Sequence, residues 1–461
     1  MTSRDTAPKK TAALRRGAEI DVAFNDLLAN GQGVGRAEGM VVFCFGPLPH
    51  ERARVRITTV KQRYAVADLI ELLEVSPERA RPFCPVFGTC GGCQLQHLGY
   101  DAQLAWKRDA VAGALTRIGG LRDVEVAPAI GMDEPRAYRN KMSLVVDQAL
   151  TPPAIGFYKQ RSHDVVPIDA CPVVTPPLGA ALAALYAHRA NPAFGDARHL
   201  VARSSRANEQ LVLTITTAQP SEHAAQIAPR LMQEIPGLVG LTNSFDLSSE
   251  NAILGRHHRR LAGEDQIEEA IGGVRYRVSA GSFFQVNAEM VARIFEYLRP
   301  YLTQSQKIVD LYCGTGTFAL YFAKEGCSVY GIEESPLAIG EATANAQLNG
   351  LAERARFQAG RVEEIASAPE LRNELRAADV VFLDPPRKGC DEVTLGAIAD
   401  AAVPALWYLS CDPATLARDL KFLVAKGYRL LGVQPFDMFP QTGHIEIFVR
   451  LEYSERVVGP N

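Results

Sequence analysis

Lys307-Ile-Val-Asp310-Leu-Tyr-Cys-Gly314-Thr-Gly316-Thr-Phe-Ala319 decides the fold of this 461-residue chain. A short apolar run reaches an acidic residue, turns through two glycines and continues into residues that suit a helix. Strand, glycine turn and helix in that order form the context of a nucleotide-binding turn. Glycine lets the backbone approach a ligand where a side chain would not fit. Around this stretch the pattern alternates. Residues 288–302 carry Val291, Ile294, Phe295 and Leu298 at helical spacing, and strand-like runs lie at 307–311, 328–333, 380–384, 406–411, 428–435 and 446–451. With helical stretches between them, they predict a doubly wound, Rossmann-like α/β domain over 266–461. Glu333 ends the second of these strands, where a carboxylate can accept both hydroxyls of a ribose.

Two further strand ends complete the edge. In Val380-Val-Phe-Leu-Asp384-Pro385-Pro386 the prolines force an extended turn that presents a carboxylate and backbone carbonyls. Such an element suits the reactive end of S-adenosyl-methionine better than hydride transfer from a dinucleotide. The run 405–409 ends in Ser410-Cys411-Asp412-Pro413, and Pro413 is placed to open a helix. A thiol at a helix N-terminus is expected to ionise easily and act as a nucleophile. In Pro440-Gln-Thr-Gly-His444-Ile-Glu446, the apolar neighbours Met438, Phe439, Ile445 and Ile447 should raise the pKa of Glu446, as a general base requires.

Upstream, residues 1–75 contain short alternating strands with glycine turns, which predict an OB-like β-barrel of the kind that binds oligonucleotides. Residues 76–265 read as a central α+β domain, with about 97–122 able to pack on the catalytic domain. Hydrophobic content of 47% and charged content of 22% are those of a globular protein. The basic N-terminus lacks the apolar stretch of a signal peptide and no run is long enough to span a bilayer, so a cytoplasmic location is expected. Net charge is −3, yet basic residues cluster at Arg52, Arg54, Arg56, Lys61 and Arg63, at Arg136, Arg139 and Lys141, and over 256–260. Local positive potential attracts phosphate whatever the total charge. Balanced, solvated faces are the equal alternative.

Together the turn at Asp310–Thr317, Asp384-Pro-Pro-Arg-Lys-Gly, Ser410-Cys411-Asp412-Pro413 and Pro440–Glu446 resemble the RNA 5-methyluridine methyltransferases, with a TRAM-like barrel at the N-terminus. The resemblance implies that Cys411 adds to carbon 6 of a flipped-out uracil, so that carbon 5 can take a methyl group from S-adenosyl-methionine. Glu446 then removes the carbon-5 proton. It also implies that Gln285, Tyr312, Gly314, Gly316, Thr317, Glu333 and Asp384 contact cofactor or uracil. Segment 358–363, where relatives place a polar contact to adenine, does not align to the residue.

Cys84, Cys90 and Cys93, with distant Cys171, provide four thiolates, the donor set of zinc or an iron–sulfur cluster. Only one pair has the short Cys-x2-Cys spacing, which favours a cluster over paired zinc knuckles. The resemblance favours a [4Fe–4S] cluster, and with the barrel it points to 23S ribosomal RNA as substrate. A transfer-RNA methyltransferase and an RNA-binding protein with a degenerate methyltransferase fold are the alternatives. A cytosine methyltransferase is disfavoured, because its Pro-Cys nucleophile element is absent.

Overall fold

The structure, a computed structural model, describes residues 14–249, 252–366 and 368–454. The chain divides into two compact units. One comprises the residues up to Gly88 with Gly92–Gln103 and Gln441–Gly443; the other comprises Thr89–Gly91, Leu104–Pro440 and the chain from His444.

The first unit holds a closed barrel of β1 (Glu19–Leu27), β2 (Gln32–Ala37), β3 (Met40–Phe45), β4 (Glu51–Val60) and β5 (Tyr64–Glu74), in the order β1-β2-β3-β5-β4. β3 and β5 are parallel; the other pairings are antiparallel. Alternation explains its core: Ala53, Val55 and Ile57 of β4 are buried with Val22, Phe24 and Val42. Gly35 is obligatory where β2 crosses β1, because a Cβ there would lie 2.5 Å from Val22 Cγ1 and 2.6 Å from the Ala23 carbonyl. Three of the outward arginines face carboxylates. Arg52 pairs with Glu74 at 2.8 Å, Arg54 with Glu71 at 2.7 Å and Asp21 at 3.0 Å, and Arg56 with Glu19 at 2.8 Å. For these three, the balanced-face alternative holds.

Helix α1 (Tyr100–Ala114) follows, and its Val111 and Ala114, with Leu115, join the core of the C-terminal sheet. A seven-stranded sheet comes next in the chain: β6 (Lys141–Asp147), β7 (Ala154–Tyr158), β8 (Val165–Pro167), β9 (Ala197–Ser204), β10 (Leu211–Thr217), β11 (Leu238–Phe245) and β12 (His257–Gly263). Its order is β12-β11-β10-β9-β6-β7-β8, with α2 (Pro176–Ala187) and α3 (Glu222–Glu234) in its connections. A hairpin of β13 (Gln266–Ile271) and β14 (Val274–Ser279) leads onward.

The second seven-stranded sheet carries the glycine turn. Its strands are β15 (Lys307–Leu311), β16 (Ser328–Glu333), β17 (Ala355–Ala359), β18 (Val380–Leu383), β19 (Ala405–Ser410), β20 (Tyr428–Phe436) and β21 (Glu446–Tyr453), ordered β17-β16-β15-β18-β19-β21-β20. Connecting helices are α4 (Ala288–Leu298), α5 (Thr317–Lys324), α6 (Pro336–Leu348), α7 (Val362–Ile365), α8 (Pro369–Ala377), α9 (Glu392–Asp400) and α10 (Pro413–Ala425). β15 to β19 are parallel, and all but the edge strand β17 are buried on both faces, which explains their near-continuous apolar runs. β21 runs antiparallel to both neighbours. The order reverses between β15 and β18, and the crevice at such a switch point is where doubly wound sheets bind ligands.

Candidate active site

Strand register brings the predicted residues to one edge. Leu311 pairs with Ile332 and with Leu383, so Tyr312, Glu333 and Asp384 leave adjacent strands at the same level. Ser410 pairs with Ile447 in the antiparallel ladder, so Cys411 just after β19 lies beside Glu446 at the start of β21. The connection antiparallel to its neighbours therefore does chemical service: it returns a carboxylate to the end of the sheet that bears the thiol. A cavity of about 820 Å³ at this edge is lined by Gln285, Tyr312, Gly314, Thr317, Glu333, Asp384, Cys411 and Glu446. Gly316 is not on its wall. It sits at φ 82° and its missing side chain admits Ala342 Cβ at 3.2 Å and Phe357 Cζ at 3.3 Å, so it serves close packing of the helix start. Gly314, at φ 56°, has nothing within 4 Å of a built Cβ and leaves the cavity open.

Electrostatically the cavity is acidic. Glu333 accepts from the Gly314 amide at 3.2 Å and from the Ser335 amide at 2.9 Å. Asp384 is pushed up to about 7 by burial and then by the Glu333 charge. Burial, and after it the Asp384 charge, holds Glu446 well above the carboxylate range. Asp310 is also raised, by burial first and then by Asp384, and neither of its carboxylate oxygens has a hydrogen-bond partner. Four carboxylates around one space, one of them orphaned, call for a cation.

The thiol departs from the sequence expectation. Cys411 is pushed up to about 12, by burial and then by the charges of Glu446 and Asp384, with Arg387 opposing them. The helix N-terminus does not rescue it, because Asp412 is the N-cap and accepts from the Ala414 and Thr415 amides at 2.9 Å each. Those amides are spent on a carboxylate, and the dipole favours Asp412 rather than the sulfur.

Comparison with known proteins gives the family. The chain is 37% identical to an uncharacterised RNA methyltransferase of Halalkalibacterium halodurans, over 96% of this chain and 99% of that one. It is 38% identical to another from Gloeobacter violaceus, over 97% of this chain and 99% of that one. A model of the tRNA (Uracil-5-)-methyltransferase family matches residues 256–454, and a TRAM-domain model matches residues 13–70. This chain belongs to the RNA uracil-5-methyltransferase family. Among solved structures, the methyltransferase is similar to Pyrococcus abyssi tRNA (uracil-54, C5)-methyltransferase in complex with S-adenosyl-L-homocysteine. The TM-score is 0.74 at 28% identity, covering 94% of this chain and 99% of that one.

Several wall residues of the methyltransferase escaped the sequence reading. Arg387 follows the two prolines and lies 3.3 Å from His444 Nδ1 and 3.4 Å from its Nε2. His444 is driven down to about 4, by burial and then by Arg387, Lys107 and Arg139, and so is neutral. Thr315 presents a hydroxyl without a partner, and Val362 and Glu363 come from the segment that resisted alignment. An orphaned Asp310 was legible in principle, since an acidic residue ending a buried strand needs a partner.

The structure does not show the four-cysteine metal centre expected from the sequence. Among the described residues, no three His, Cys, Asp or Glu side chains form a group able to hold a metal ion. Four-thiolate sites need all donors within bonding distance of one centre, and sequence spacing cannot show that.

Proposed function

We propose that this protein methylates carbon 5 of a uridine in RNA through a Cys411 adduct, with Glu446 as the base. The observation that carries this reading is the antiparallel register that sets Cys411 beside Glu446 at the edge of the acidic cavity. The residues fit the cofactor: a cationic sulfonium satisfies the carboxylate-rich wall, and Asp310, Glu333 and Asp384 are positioned to hold its polar parts. S-adenosyl-methionine would supply an electrophilic methyl group there.

The chain's own residues do the rest. Cys411 gives up its proton and its sulfur bonds to carbon 6 of the uracil, which makes carbon 5 electron-rich. After transfer, Glu446 takes the carbon-5 proton; the electrons of that carbon–hydrogen bond re-form the ring double bond, and the carbon–sulfur bond breaks with its electrons returning to the Cys411 sulfur. A raised pKa suits Glu446 to take that proton near neutrality. Arg387 favours the thiolate and limits its cost. Reaching both faces of the ring requires the base to leave its stack.

The substrate reading is 23S ribosomal RNA, supported by the four-cysteine sequence and the barrel; transfer RNA is the competing substrate, favoured by the solved relative's. Mapping 5-methyluridine in both RNAs from a deletion strain, in the cytoplasm where the enzyme is expected, separates them. Loss from neither would overturn the proposed activity. An iron–sulfur cluster rests on the cysteine spacing and the family resemblance. Iron and acid-labile sulfide analysis of anaerobically purified protein tests it, and protein free of both removes it.

A further inference from the structure

Of the basic clusters in the sequence, most are neutralised. Arg52, Arg54 and Arg56 of the barrel are paired, and Arg256 and Arg259 bond to Asp246 and Glu222 at 2.9 Å each. Arg139, Lys141 and Arg203 differ: among the described residues, none of the three forms an ion pair with a carboxylate. Lys141 and Arg203 are direct partners across β6 and β9. Like charges placed opposite each other on a sheet destabilise it. Arg203 is only 1% exposed, and its Nε and Nη1 lack hydrogen-bond partners. Arg139 donates to the Lys141 carbonyl at 3.0 Å, which draws the third cation to the same place. Glu341 and Glu269 influence Arg203 from a distance but accept from backbone amides. Arg203 and Arg139 help to hold Lys141 down to about 8, after burial itself, so it is still charged at neutral pH.

This group adjoins the active site. Arg203 donates to the Ser282 carbonyl at 2.9 Å and Asn140 to the Gln285 carbonyl at 3.2 Å, and Ser282 and Gln285 line the cavity. The face of β6 that carries Lys141, Ser143 and Val145 is half-exposed, while Met142, Leu144 and Val146 on the other face are buried. Gly156 pairs with Val145, so Tyr158, two residues on and 40% exposed, shares the open face. Uncompensated cations beside an exposed ring form the combination that holds a single-stranded nucleic acid, phosphate by charge and base by stacking.

We propose that Lys141 and Arg139, backed by the buried charge of Arg203, bind the phosphodiester of RNA next to the target nucleotide. This inference rests on the RNA reading above. Its test compares wild type with Lys141→Met, Lys141→Arg and Arg139→Gln, using a transcript that the wild type methylates. RNA affinity is measured against salt, and S-adenosyl-methionine affinity separately. Lys141→Met is expected to weaken RNA binding about tenfold and lower the salt slope by about 0.7, one lost contact to a single strand. Lys141→Arg should keep the slope, and cofactor affinity should not move. Arg139→Gln, at a half-exposed position, gives the same answer if Lys141→Met fails to fold. An unchanged slope in a folded variant overturns the subsite. Weakened cofactor binding with an unchanged RNA slope also overturns it, by assigning the cations to the cofactor carboxylate. A wild type that neither binds nor methylates RNA rejects the activity itself, and that arm is read before any variant.

Discussion

In the proposed mechanism, Cys411 and Glu446 divide the labour that one uracil ring demands. Cys411→Ala should bind RNA and form neither product nor adduct; turnover by that variant would remove the covalent mechanism. Glu446→Gln should accumulate a protein–RNA adduct that survives denaturing electrophoresis, and a clean gel would count against it as the base. Asp384 shows the acidic cavity's effect on the fold. Its pKa rises from 3.8 to about 7 on folding, so the folded protein holds this proton more tightly than the unfolded chain. The stabilisation is complete below the unfolded value and is lost as pH rises through the folded one. Melting of Asp384→Asn, which keeps the neutral form's shape, should therefore change less than wild type between about pH 4 and pH 7. Equal slopes in differential scanning calorimetry would show that this carboxyl is not the strained one. Residue reading alone foresaw the direction at Glu446 from its apolar neighbours. It missed the thiol's, because the carboxylate of the next residue claims the helix start.

Elements are held by contacts far apart in sequence. Lys107 of α1 donates to Asp437 at 2.5 Å and to the Phe439 carbonyl at 3.2 Å, with both charged side chains fully buried. The pair fixes the segment that follows β20 and leads to His444. Lys107→Met should cost about 3–5 kcal/mol in urea unfolding, because it strands a buried carboxylate, and adding Asp437→Leu should recover much of that. Equal losses from the single and double variants would mean that packing, not charge, sets the cost. No sequence signal marks this pair, since it joins two ordinary polar residues 330 positions apart. Strands β15, β18 and β19 were legible because each is an apolar run ending in a turn residue. β12 and β17 were not: His-His-Arg-Arg-Leu-Ala-Gly carries no strand period, Ala-Arg-Phe-Gln-Ala alternates over five residues only, and both are edge strands with one partner each. Backbone pairing supplied by the sheet decides them. Single-turn α7 escaped for the same reason of brevity.

Among the described residues, several surface arginines are paired with carboxylates before RNA arrives, whereas Lys141, Arg139 and Arg203 are not. Replacing Arg52, Arg54 and Arg56 together by Gln should reduce the salt slope of RNA binding less than Lys141→Met alone, since their carboxylate partners already offset them. A larger loss from the triple variant would make the barrel face the main phosphate contact. The acidity arrangement around Cys411 has a further consequence for a protein that must survive between encounters. Peroxide and alkylating agents attack the ionised sulfur, and a thiol that titrates near 12 offers almost none of it at neutral pH. Peptide mass spectrometry should find position 411 carbamidomethylated by iodoacetamide more slowly than an unhindered thiol. Burial first, and then the charges of Glu446 and Asp384, thus keep the resting sulfur protonated, and a positively charged guest that offsets those carboxylates would lower that barrier.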